Sequence, residues 1–210
     1  MALGKLVQLT PGRKLMFKKK TKTAMTTAKK ALRIAKANRT FEVLKYNDVN
    51  VSMTASAVPT VVFLQPPTCD GEKQTIQNIE ARMFIRQNLS SVLVDNYRVD
   101  LVLDRYPSGV ALDLSKLYED ATPRITALLS YDMRDRYKIV KSYSGAFNEA
   151  SNTSRMINFK VRSGLVCEAD GQTPSQANIQ KNAYYLVFWT ESTANTPIIT
   201  YDIQIDSITA

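Results

Sequence analysis

From Phe41 onward, short apolar runs alternate with polar positions at the two-residue period of extended chain. The segment YRVDLVLD (97–104) shows this most cleanly, with Val99, Leu101 and Leu103 on one face and Arg98, Asp100 and Asp104 on the other. It predicts a strand with one wet face. In YYLVFW (184–189) the alternation is lost: Tyr185, Val187 and Trp189 share one side and Tyr184, Leu186 and Phe188 the other. A strand apolar on both sides is buried twice, here by its own core and by a neighbouring subunit. Runs of β-branched and aromatic residues bounded by Pro, Gly, Asn and Asp predict strands over 41–46, 49–55, 60–64, 76–87, 96–104, 136–144, 155–161, 183–190 and 198–208. About eight or nine strands with no long helical period indicate an all-β sandwich or barrel. One segment departs from this texture. In LDLSKLYED (112–120), Asp113 is a suitable cap for one or two helical turns that place Leu114 and Leu117 together.

The first forty residues follow different rules. They hold twelve Lys or Arg and no Asp or Glu, a charge of +12, whereas residues 41–210 hold sixteen basic and nineteen acidic residues, a charge of −3; the sum is the net +9 of the chain. The whole excess of positive charge therefore sits in a segment 1–40, ahead of a domain 41–210. Such asymmetry points to a polyanionic partner, and phosphate contact of this kind needs no base sequence and weakens steeply with salt. The expected nucleic-acid-binding residues are Lys5, Arg13, Lys14, Lys18, Lys19, Lys20, Lys22, Lys29, Lys30, Arg33, Lys36 and Arg39. The alanine-rich stretch 24–37 predicts a short helix beginning near Thr26 or Thr27, with Lys29, Arg33 and Lys36 along one stripe. Cationic neighbours repel, so phosphates would order it. Phe17 is the arm's one aromatic residue, which makes stacking there a minor contribution.

The domain offers little catalytic chemistry. The sequence contains no histidine, which removes histidine bases, Ser-His-Asp and Cys-His nucleophiles and the usual transition-metal ligand sets. No phosphate-binding glycine loop is present. Cys69 and Cys167 are far apart and form neither a CxxC pair nor a disulfide framework. Asp132 with Asp135, Asp170, and Asp202 with Asp206 are the remaining acid/base or hard-metal candidates. No cofactor is expected. Calcium at a subunit interface is compatible with these carboxylates, although none matches a dedicated calcium loop. Arg82 and Arg86 share a strand face with Phe84 and either extend the basic surface onto the domain or make cross-strand ion pairs. No run of about 18 apolar residues occurs, so neither a membrane span nor a membrane partner is expected.

The order of segments resembles the single jelly-roll coat proteins of small icosahedral viruses, such as those of satellite tobacco necrosis virus and its relatives, and the capsid proteins of small circular single-stranded DNA viruses. The likeness is carried by the arm ending in Ala37-Asn38-Arg39-Thr40-Phe41, the strand and turn YRVDLVLDRYPSG (97–109), the helix LDLSKLYED, and RDRYKIVKSYSG (134–145). The resemblance implies an eight-stranded jelly-roll sandwich with a basic, partly helical N-terminal arm, a non-enzymatic structural role, and a virion location after assembly in host cytoplasm or nucleus. It also implies self-assembly around a single-stranded RNA or DNA genome. In the smallest icosahedral shell, of roughly sixty copies, the arms would bring on the order of 700 positive charges to the genome. The arm is richer in lysine than in arginine, favouring plain neutralisation over forked recognition of structured RNA. The rival expectation is a non-viral jelly-roll binding module, lectin-like or trimeric, whose basic tail meets an acidic partner.

Overall fold

A computed structural model describes residues 27–31, 41–55, 58–64, 66, 73–88, 95–107, 109–120, 122–147, 153–170, 175–192 and 196–209. The chain divides into two units, Met1–Arg39 and Thr40–Ala210. In the first, residues 27–31 are helical and exposed.

The second unit is two antiparallel sheets. Its strands are β1 (Phe41–Ser52), β2 (Thr60–Leu64), β3 (Lys73–Arg86), β4 (Asp95–Asp104), β5 (Tyr137–Phe147), β6 (Ser154–Ala169), β7 (Ile179–Lys181), β8 (Ala183–Thr190) and β9 (Ile198–Thr209). One sheet has the order β1-β9-β3-β6-β7 and the other β2-β8-β4-β5. With the short edge strand β7 set aside, the pairing is nested. The first strand pairs with the last, β2 with β8, β3 with β6, and β4 with β5. Members of this long hairpin fall alternately into two sheets, and joining them through β3–β9 and β4–β8 rolls it into a jelly roll. The expected fold class is thus observed.

Alternation decides what each sheet buries. On β3, Ile79, Ala81, Met83 and Ile85 point into the core, as do Ile199, Tyr201, Ile203 and Ile205 on β9. Rings join the two layers: Phe188 of β8 lies 6.3 Å from Tyr201, and Tyr143 of β5 stacks on Phe159 of β6 at 5.7 Å.

Several element boundaries depart from expectation. The segments 41–46 and 49–55 join into β1, whose pairing with β9 shifts between Asp48 and Val51, where Asn50 takes φ 57°. Asn tolerates this left-handed conformation, so a turn-like sequence is absorbed as a bulge. Strand β6 runs on to Ala169 through Gly164 at φ 67°, and β7 was not expected.

The larger correction concerns β4. The face expected to be wet is dry: Arg98 is 6% exposed and Asp100 and Asp104 are fully buried. The β4–β5 connection folds back over the outer face of the four-stranded sheet. It contains the expected helix, Leu114–Leu117, capped by Asp113, whose Oδ1 accepts from the Ser115 amide at 3.1 Å. The same cover explains the doubly apolar β8, where every residue is buried within the chain itself. Tyr118 packs edge-on against Trp189 at 5.1 Å, so no neighbouring subunit is needed to bury that side.

Candidate nucleic-acid interface

Of the basic residues expected to bind nucleic acid, Lys29 and Lys30 lie in the helical residues 27–31 and are exposed. Lys5, Arg13, Lys14, Lys18, Lys19, Lys20, Lys22, Arg33, Lys36 and Arg39 lie outside the described residues. The helical stripe can therefore be followed only at Lys29.

On the domain, the two outer faces differ. Beneath the β4–β5 connection is a closed polar network. Arg98 pairs with Asp100 through a hydrogen bond from Nε to Oδ1 at 3.0 Å and an ion-pair contact of a terminal nitrogen with Oδ2 at 2.9 Å. Its other terminal nitrogen donates to the carbonyls of Ile125 and Ala127, at 2.9 and 2.6 Å. Asp100 accepts further bonds from the Tyr118 hydroxyl at 2.7 Å and the Ser142 hydroxyl at 2.6 Å. The guanidinium also lies over the rings of Tyr118 and Trp189, at 5.5 and 5.2 Å. Burial pushes the Tyr118 hydroxyl far above the usual tyrosine range, and the Asp100 charge adds to this. It therefore donates its proton to the carboxylate and keeps it. A second pair closes the strand end, where Arg136 forks onto Asp104 at 3.1 and 3.0 Å. That hydrogen bond raises the Arg136 pKa further. Every charge here has a fixed partner, so this face holds the connection down and offers no reactive group.

The outer face of the five-stranded sheet presents exposed side chains among the described residues. Along β3, Glu80, Arg82, Phe84 and Arg86 point outward between β6 and β9. Phe84 sits opposite Met156 and Thr200, Arg82 opposite Asn158 and Asp202, and Arg86 opposite Ser154 and Ile198. Glu80 bridges cross-strand to Lys160 at 3.1 Å and lies 3.8 Å from Arg82 on its own strand. Among the described residues Arg86 has no acidic partner across either neighbouring strand. Phe84 is 37% exposed and Met156 61%, an apolar pair rimmed by arginine.

The remaining carboxylates are occupied or dispersed. Asp206 accepts from the side-chain amides of Asn78 and Gln204, at 3.2 and 2.9 Å. Among the described residues no three metal-ligating side chains gather. Cys167 is buried and its thiol pushed up to about 12 by that burial, which keeps it a poor nucleophile.

No protein-family model and no curated protein matches the chain. Among solved structures it is similar to a chain of desmodium yellow mottle tymovirus, at 9% identity over 81% of this chain and 82% of that one, with a TM-score of 0.38. It is similar also to a chain of turnip yellow mosaic virus, at 10% identity over 82% and 95%, TM-score 0.33. A third is the 60-mer BFDV capsid protein, at 7% identity over 81% and 93%, TM-score 0.27. Identities and TM-scores this low leave the argument about function to the residues themselves.

Proposed function

We propose that the chain is the coat protein of a small icosahedral virus, a non-enzymatic subunit that assembles with copies of itself into a shell around a single-stranded RNA or DNA genome. The observation that carries this reading is the partition of charge, +12 on residues 1–40 against −3 on the jelly-roll unit. The rigid domain supplies the shell wall and the arm supplies counter-charge for packed phosphates. The jelly roll is a fold that recurs in capsids and also in lectins, and the one-sided arm is what favours the capsid. The virion is the proposed location, and binding is proposed to run through Lys5, Arg13, Lys14, Lys18, Lys19, Lys20, Lys22, Lys29, Lys30, Arg33, Lys36 and Arg39.

Deleting residues 1–36 tests this. The expected result is a β-domain that still unfolds cooperatively but no longer protects nucleic acid from nuclease. A truncated protein that retains the nucleic acid would show that the arm is not the packaging element. A full-length protein that remains a monomer or trimer and holds no nucleic acid would support the lectin-like or trimeric binding module.

A further inference from the structure

We infer that the outward row Arg82, Phe84 and Arg86 on β3, with Met156 beside it, is a stacking platform for unpaired bases of single-stranded nucleic acid, a contact separate in character from the phosphate-binding arm. It rests on the reading of the chain as a genome-packaging protein and adds the chemical form of nucleic acid that the domain itself takes.

The strand geometry sets the three side chains on one face about 6.8 Å apart, two residues of strand rise each. Phe84 is the half-exposed ring between two guanidiniums. Its cross-strand neighbours, Met156 and Thr200, carry no charge. Arg82 lies 3.8 Å from Glu80 on its own strand and stands opposite Asp202 in the register of β9. Arg86, facing Ser154 and Ile198, is the cation left to meet a phosphate or lie on a base. An aromatic ring stacks on any base, because every base has a π-face, and arginine adds both charge and a planar surface. A duplex hides those faces inside its own stack, so the platform selects single strands. The arm cannot supply this selectivity. Duplex DNA has the denser charge and releases more counterions per phosphate, so binding through phosphates alone favours the duplex.

The test uses the full-length protein with a fluorescent thymidine oligonucleotide and a duplex of equal phosphate count, titrated at several salt concentrations. Stacking on Phe84 is expected to raise the single-strand-to-duplex affinity ratio by about fivefold or more over what phosphate contact alone gives, the lower end of what one base stacked on an aromatic residue contributes. Phe84→Ala should lower the ratio by that factor, Phe84→Trp should keep it, and Arg86→Gln should weaken binding of the single strand and lower its salt dependence by about one phosphate contact. A single-strand-to-duplex ratio untouched by Phe84→Ala would overturn the inference. Loss of particle assembly in Phe84→Ala with an unchanged ratio would also overturn it, showing that a second copy of the chain covers this face. Nuclease-protected nucleic acid in Phe84→Ala particles would leave the packaging reading standing whichever way the ratio falls.

Discussion

Asp100 accepts three side-chain hydrogen bonds and one further ion-pair contact at full burial, and its neighbourhood shows what a single residue does for this fold. Removing one member of a buried ion pair strands the other, at a cost of about 3–5 kcal/mol, whereas replacing both by apolar residues is far milder. Asp100→Ala is expected to lower the free energy of unfolding in urea by that larger amount, and the pair Arg98→Met with Asp100→Leu by much less. A midpoint unchanged in Asp100→Ala would mean the network does not hold the connection. Gly145 makes a second residue-scale case. A Cβ there would come within 2.6 Å of the Tyr97 hydroxyl and 2.8 Å of its ring, and Tyr97 is buried and stacked on Phe147 at 4.8 Å. Gly145→Ala is therefore predicted to cost about 1–3 kcal/mol, as overpacking does, readable in the same denaturation experiment. Neither site is visible in the linear sequence. A strand pattern reports which residues share a face but not whether a charged face is solvated or roofed, and Arg98, Asp100 and Asp104 were misread for that reason. The partners of Asp104 and Asp100 lie 32 and 42 residues away, at Arg136 and Ser142, distances that only the fold closes.

At the scale of elements, β8 carries the clearest pH dependence. Burial raises the hydroxyls of Tyr184 and Tyr185, the latter to about 12. A folded pKa above the unfolded value near 10 means that the neutral form is favoured in the fold. The associated stability is complete below about pH 10 and is lost as pH rises towards 12. The urea midpoint should therefore fall across that window, with tyrosinate absorbance appearing as the protein unfolds, and Tyr185→Phe should flatten the fall. Ionisation of all ten tyrosines near pH 10 with no loss of structure would contradict burial of these rings. The elements themselves were largely legible. Period-two alternation marked β4 and β9, a β-branched and aromatic run marked β2, and the doubly apolar YYLVFW marked β8 as a strand buried on both sides. Other boundaries escaped for local reasons: Asn50 looks like a turn and serves as a bulge, Gly164 looks like a strand end and lies inside β6, and β7 is three residues long with two of them exposed.

For the whole molecule, charge and architecture point the same way. The partition of charge was readable directly, since it needs only counting, and the nested strand pairing shows the jelly roll that the order of segments implied. The outward row on β3 was readable too, by parity along the strand, but that Ser154 and Ile198 are what face Arg86 required the registers of β6 and β9. Assembly is the central claim. Electron microscopy of the purified recombinant protein, with its absorbance ratio taken on the same sample, reads particle size, symmetry and co-purified nucleic acid together. Uniform spherical particles with excess absorbance from nucleic acid are the predicted result. A monodisperse monomer or trimer free of nucleic acid, at physiological salt and high protein concentration, would contradict it.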